Sequence, residues 1–276
     1  MPESKSHRIR FDFATPLGVV IGMLGIVGGL LAERGELQDI VQATAALIVI
    51  GGTLGAVLVT TPFGQFMGAC RRLVDLVVVR AAPATDAIEL VVDFATKARR
   101  QGIISLESDA EAVVDPFFRK AMNLAVDGTP LQDLRRQMEL EIIQQERRAE
   151  SEARVYETAG GYAPTIGIIG AVMGLIQVMK QLDNLDEVGH GIAVAFVATI
   201  YGVGLANLFL LPAANKIRAR AEELTAQREL VLDGVSSIVE GLNPKLIRSK
   251  LEAYLDPSIR RSTPMSSSAR TKGKAA

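Results

Sequence analysis

The chain has no tryptophan, one cysteine and two histidines, and only 5% of its residues are aromatic. Cys70 can form no internal disulfide. His7 and His190 are far apart, and no Cys/His cluster has the spacing of a zinc site. There is no P-loop and no G-x-S-x-G elbow. Without any such constellation the chain does not read as an enzyme, and no cofactor is expected. A net charge of −1 gives no general electrostatic case for nucleic acid. The missing tryptophan also removes one of the usual membrane-interface anchors.

Charge is absent locally as well. Phe13–Ala32, Val41–Pro62, Ala163–Met179 and Gly191–Pro212 contain no Asp, Glu, Lys or Arg. Three of these runs have 20 residues or more and the third has 17, near the short limit for a hydrocarbon core about 30 Å thick. Gly160, Gly161 and Tyr162 could lengthen it. Four transmembrane helices follow, in a chain whose mean hydropathy is +0.25. A signal peptide is not expected, because the first run lacks an A-x-A-like site and a second span follows closely. Lys5, Arg8 and Arg10 precede span 1, Arg71, Arg72 and Arg80 follow span 2, and Lys216, Arg218 and Arg220 follow span 4. The short loops hold only Arg34 and Lys180, so both termini and the long middle loop are expected in the cytoplasm.

The expected fold is an all-α integral membrane protein. Residues 1–12 form a cytoplasmic N-terminus and 13–62 carry spans 1 and 2. Residues 63–160 form a helical cytoplasmic loop, 161–212 carry spans 3 and 4, 213–255 form C-terminal helices, and 256–276 form a disordered tail. No strand-period alternation and no fixed-length repeat is seen. Leu131, Leu134, Met138, Ile142, Ala149, Ala153 and Tyr156 make one helical stripe. Ile217, Ala221, Leu224, Val231, Val235 and Ile238 make another, which Gly241 ends. Asn243 reads as an N-cap with Pro244 at the first helical position, opening a short helix Lys245–Leu255. The middle loop and the C-terminal helices are expected to pack into one cytoplasmic domain.

Ion pathways are usually marked by ionisable groups inside the membrane, and none of the four runs has one. Either hydroxyls and carbonyls do all the work, or a partner brings a carboxylate. Small residues mark close helix contacts in lipid. Gly167, Gly170 and Gly174 do so in span 3, and Ala195, Ala198, Thr199, Gly202 and Ala206 in span 4. For Gly18-x-x-x-Gly22, Gly25-x-x-x-Gly29 and Gly51-x-x-x-Gly55, packing inside one subunit is expected. Thr165, Thr199, Tyr201 and Asn207 add polar atoms, and each hydroxyl either bonds back to its own helix or lines a pathway. Pro164, early in span 3, and Pro212, at the end of span 4, read as boundary punctuation or as hinges.

Four spans, a large loop between spans 2 and 3, "APTIGIIGAVMGLI" and "AVAFVATIYGVGLANLFLLPAANKIRARAE" together resemble the MotA/PomA family, the membrane stator subunits of the bacterial flagellar motor. The resemblance runs from about Thr15 to Leu255 and includes "LIVIGGTLGAVLV", "KARRQGIISLE" and "VLDGVSSIVEGLNPKLI". It implies a homo-oligomer of five copies in the lipid of the inner membrane, around a dimer of a MotB-like partner that supplies the ion-binding aspartate. It implies that the cytoplasmic part pushes on the rotor protein FliG, through Arg99 and Glu107 with Lys97 and Arg100 assisting. Pro164 and Pro212 match the family's functional prolines, and Thr199 its ion-path threonine. Sodium-type members have a threonine at the Ala171 position and an aspartate near Gln42, so Ala171 points to H+ rather than Na+; Thr165 lies on a different face and is a poor substitute. Span 3 is expected to pack against the partner's helix through its glycines. The rival readings are an ExbB/TolQ-like energy transducer, a scaffold without an ion path, and a transporter acting alone.

Overall fold

The computed structural model describes residues 10–35, 37–75, 78–79, 83–183 and 185–255. The expected tail at 256–276, the residues before 10, and Arg80 lie outside them. In chain order the elements are β1 (Arg10–Phe11), α1 (Ala14–Ala32), α2 (Leu37–Ile40), α3 (Ala43–Ala46), a π turn (Leu47–Gly51), α4 (Gly52–Thr60), α5 (Phe63–Asp75), β2 (Val78–Val79) and α6 (Ala84–Gln101). A 3-10 turn (Ile103–Leu106), α7 (Glu107–Glu111), α8 (Pro116–Val126), α9 (Leu131–Lys180) and α10 (Leu185–Leu205) follow. A second π turn (Ala206–Leu210), α11 (Leu211–Val239), α12 (Pro244–Leu251) and a last 3-10 turn (Glu252–Tyr254) complete the described chain. The helical expectation holds, with one small addition. β1 and β2 pair antiparallel, Arg10 opposite Val79 and Phe11 opposite Val78, a match too short for alternation to reveal.

Among the described residues, four helices are long and apolar enough to cross a membrane. Span 1 is α1, none of whose residues is buried in the protein. Span 2 runs Ala43–Thr60. Ala45, Val49, Thr53 and Val57 are its buried positions. Steps of four would drift around an ideal helix of 3.6 residues per turn. The wide π turn takes up part of that drift and keeps them on one side. Spans 3 and 4 lie within the much longer α9 and the α10–α11 continuum.

The chain divides into two compact units. Among the described residues, one comprises 83–144 and 223–255. Its core is built from Val91, Phe94, Leu106, Phe118, Met122, Leu134, Met138, Leu230, Val235, Ile247 and Leu251, among others. Asp115 caps α8, accepting from the Phe118 amide at 2.7 Å, with Pro116 in the first turn. Asn243 caps α12 as expected, accepting from Lys245 at 3.0 Å, and Gly241 follows α11 at φ 71°. Arg248 of α12 forks onto Glu89 of α6 with two 2.6 Å bonds. Gly234 admits close packing on α11, since a Cβ there would lie 2.8 Å from Val91.

The other unit comprises the described residues between 10 and 79 and between 145 and 222. It therefore holds not only the spans but also the separate helix α5 (Phe63–Asp75), and 145–160 and 213–222, which continue the helices of spans 3 and 4. Val57, Ala69, Ala149, Ala153, Tyr156, Ala159, Ala214 and Ile217 form one of its clusters. Ala45, Val49, Val197 and Ala198 form another. The Tyr156 hydroxyl donates to the Ala69 carbonyl at 2.7 Å, Arg72 pairs with Glu152, and Arg218 bridges Glu150 and Glu157.

Candidate functional site

Neither proline marks a helix boundary. α9 begins at Leu131 and continues through Pro164 to Lys180. A proline inside a helix leaves the carbonyl four residues earlier without its amide and costs about 3 kcal/mol or more. The carbonyl affected is that of Gly160. Pro212 lies one residue into α11, which continues α10 through the π turn Ala206–Leu210. That wide turn, just ahead of Pro212, gives the ring room against the preceding carbonyls. The reading of both prolines as boundary punctuation is thus overturned. The charge-free run ends near each of them, but the helix does not.

Around these prolines the two helices touch almost backbone to backbone. A Cβ on Gly202 would sit 2.5 Å from the Ala163 carbonyl oxygen and 3.1 Å from the Gly167 Cα. One on Gly167 would sit 2.9 Å from the Ala198 carbonyl oxygen, and one on Gly174 would sit 2.9 Å from the Gly191 carbonyl oxygen. At Gly170 the neighbours are the Ala198 side chain at 2.8 Å and Ile48 of span 2 at 3.3 Å. Gly167, Gly170, Gly174 and Gly202 are therefore a seam between spans 3 and 4 of one chain. The expectation that the span 3 glycines meet a partner's helix is corrected, because this chain's own span 4 already occupies them.

The glycine pairs of spans 1 and 2 depart from expectation in the opposite sense. Gly18, Gly25, Gly29, Gly51 and Gly55 have no neighbour within 4 Å. Only Gly22 meets another span, through the Leu208 side chain at 3.1 Å. For Gly18, Gly25 and Gly29 the reason is the exposure of α1, which buries no residue against the rest of the chain, while Gly51 and Gly55 lie off the side of span 2 that carries Ala45, Val49, Thr53 and Val57.

The polar atoms of the spans are turned inward on their own helices. The Thr199 hydroxyl donates to the Ala195 carbonyl at 3.3 Å, Thr165 to Tyr162 at 2.8 Å, and the Asn207 amide to Val203 at 2.9 Å. Tyr201 differs: its hydroxyl donates to the Ile40 carbonyl at 2.5 Å and accepts from the Gln42 amide at 3.2 Å, tying the start of span 2 to span 4. Pro164 and Ala171 are seven residues apart, hence on one face of α9, and both are half-buried beside the seam. Thr199 is half-buried too, its Cα 3.5 Å from the Gly167 Cβ position. Thr165 is exposed. Among the described residues no group of three or more His, Cys, Asp or Glu could hold a metal ion.

In the other unit, α6 ends at Gly102, whose φ of 82° reverses the chain into the 3-10 turn and α7. This places Arg99 and Arg100 in the last turn of α6 and Glu107 at the start of α7, all three exposed. No ion-pair partner is found for them among the described residues. Lys97 is different, being held by Asp109 at 2.5 Å. Three charges are thus free for a partner and the fourth is engaged within the chain.

Sequence reasoning missed Asp12. Its carboxylate, just before span 1, pairs with Arg220 at 2.8 Å and with Lys216. These bonds hold its pKa down to about 2. The one available signal was Lys216 and Arg220 standing four apart, and hence on one face of a helix.

Residues 109–230 match the MotA/TolQ/ExbB proton channel family, and residues 16–102 match the model for the N-terminal part of motility protein A. Motility protein A of Bacillus subtilis is 32% identical over 249 residues, covering 88% of this chain and 91% of the relative. The chain belongs to the MotA/PomA family. Chemotaxis protein PomA of Vibrio alginolyticus is likewise 32% identical, over 90% of this chain and 97% of its own length. The flagellar MotAB stator complex from Bacillus subtilis contains a chain that superposes with a TM-score of 0.84 at 32% identity, covering 90% of this chain and 98% of that one. The family is one of stator and channel subunits and not of enzymes. The N-terminal match across spans 1 and 2 separates the chain from the ExbB/TolQ-like alternative.

Proposed function

We propose that this stator subunit works with a MotB-like, single-span partner in the bacterial inner membrane, with both of its termini in the cytoplasm. Five copies surround a partner dimer whose membrane aspartate receives the ion, and ion flow drives torque on the rotor protein FliG. The observation that carries this reading is the closed seam between spans 3 and 4. It supplies a stiff, charge-free wall with no acid–base group of its own, so the titrating group must come from outside the chain. Pro164, Ala171 and Thr199 flank that wall and are the residues proposed to meet the partner's helix. Arg99 and Glu107, with Arg100, form the proposed rotor contact. Lys97 acts there by fixing Asp109 and the turn between them.

The proposed ion is H+. A methyl group at Ala171 offers no oxygen to replace the hydration of Na+, a hard cation that needs several oxygen ligands, and the Thr165 hydroxyl is engaged with Tyr162. Proton transfer to a carboxylate requires only water alongside.

A clean deletion tests the whole reading. Flagella that are present but still, with swimming restored by the wild-type gene, support it. Swimming that stops with a proton ionophore and survives sodium removal supports the ion assignment; the reverse pattern overturns it. Normal swimming with a leaky envelope overturns the stator reading in favour of an ExbB/TolQ-like role.

A further inference from the structure

The unit built from residues 83–144 and 223–255 contains a cavity of about 460 Å³. That lies within the range of about 300–1,000 Å³ typical of clefts that hold a ligand group. The last turns of α6, α8 and α11 line it. The three helices are followed by the positive-φ glycines Gly102, Gly128 and Gly241. Ala95, Ala125 and Ile238 are buried in its floor, and the small alanines are what leave the space. Arg99 stands in its lining and is itself exposed, with Thr129 and Leu131 also among the lining residues.

The chemistry of the occupant follows from these walls. The cavity is lined by the ends of α6, α8 and α11 together with the start of α9, so the helix termini around it carry partial charges of both signs. The side-chain lining is almost wholly apolar, so an apolar group is favoured inside it over a carboxylate. The one cation at the cavity, Arg99, is exposed and has no ion-pair partner among the described residues. Complementary charge governs encounter and register more than affinity, whereas a buried apolar anchor supplies affinity. We propose that the cavity seats one bulky apolar side chain, of leucine or phenylalanine size, carried by a partner helix beside an acidic residue that meets Arg99. This rests on the reading of Arg99 as a rotor contact and names what that contact lacks, an apolar anchor.

The test measures binding of the purified rotor protein to the full stator complex, co-expressed with its partner. Ala98→Leu narrows the cavity from α6 without changing a charge, and Thr129→Leu narrows it from the segment between α8 and α9. Each is expected to weaken binding about tenfold, as loss of an anchor contact does, with the thermal midpoint of the complex unchanged. The photo-crosslinker p-benzoylphenylalanine placed at Thr129 is expected to capture the rotor protein. Arg99→Glu is the parallel arm. If it abolishes binding while both narrowing variants bind like wild type, the contact is one of charge alone and the cavity proposal is overturned. If Arg99→Glu binds normally as well, the rotor reading falls and the cavity proposal falls with it. If Ala98→Leu lowers the thermal midpoint, Thr129→Leu and the crosslink decide.

Discussion

Gly202→Ala is the sharpest probe of the seam between spans 3 and 4. The added methyl would sit 2.5 Å from the Ala163 carbonyl oxygen, where ordinary contact begins near 3.4 Å. Neither atom belongs to a flexible side chain, so α9 and α10 must separate locally by roughly 0.9 Å. A gap of about 0.5–1 Å forfeits a quarter to a half of each contact it opens. The contacts at risk include those of Gly167 with Ala198 and of Gly174 with Gly191. Overpacking of this kind costs about 1–3 kcal/mol. At about 2–4 °C per kcal/mol for a chain of this size, the midpoint falls by roughly 2–12 °C. The assay is thermal unfolding of the purified complex, with swimming speed measured in the same strains. Gly25→Ala is the control, since nothing lies within 4 Å of its Cβ position and alanine favours the helix by about 0.5–1 kcal/mol. A Gly202→Ala complex that melts and swims like wild type would refute the close seam.

Three further outcomes are expected. Asp12→Asn loosens the pin between the start of span 1 and α11 at neutral pH. Because the folded pKa of about 2 lies below the ordinary 3.8, the wild-type contribution is complete above about pH 4 and lost as pH falls towards 2. Melting from pH 5 to pH 2 should show a mutant with the shallower acid dependence. Arg228→Met is expected to raise stability by about 1 kcal/mol: the loss of a cation–π contact with Phe117 at 4.8 Å is outweighed by removal of two buried donors, Nε and Nη1, that lack partners. Thermal unfolding checks this, and a drop of the same size refutes it. Ala171→Thr is expected to leave swimming independent of sodium, because one hydroxyl cannot build a hard-cation site; swimming speed across a sodium series would show otherwise.

The spans were legible because membrane-crossing helices must be long and free of charge, which any sequence displays directly. The caps at Asn243 and Gly241 were legible for a similar reason, since each rests on what one residue type can do locally. What escaped was register and partnership. The glycines at 18, 25, 29, 51 and 55 have the same spacing as those at 170 and 174, yet only the latter face another helix. Spacing states that a face is flat, not what lies on it. The prolines misled because the end of an apolar run was equated with the end of a helix. α9 and α11 instead carry on into charged sequence, where the helix pattern persists and only the solvent changes. Asp12 escaped because its partners, Lys216 and Arg220, lie some two hundred residues away.

The seam also constrains where a partner's helix can stand. On α9, Gly167 and Gly174 are covered by span 4, while Ile166 and Gly170 reach towards Gly52 and Ile48 of span 2. Pro164 and Ala171 lie on the other side of the seam from Ile166, since steps of two and five residues turn a helix by about 200° and 500°. Thr199 borders the seam on α10 beside Gly167. In the proposed function, a carboxylate delivered from outside approaches along the Pro164–Ala171–Thr199 edge and not through the glycines. Pro164 leaves the Gly160 carbonyl without its helical amide, so that edge starts near an acceptor that the helix cannot satisfy by itself. In the proposed mechanism this is where water can enter a wall otherwise without polar groups to spare. Pro164→Ala, by restoring the missing amide, should slow or stop rotation while leaving the complex as stable or more so. A motor that turned normally with Pro164→Ala would remove the carbonyl from the pathway and leave the proline with no role beyond its bend.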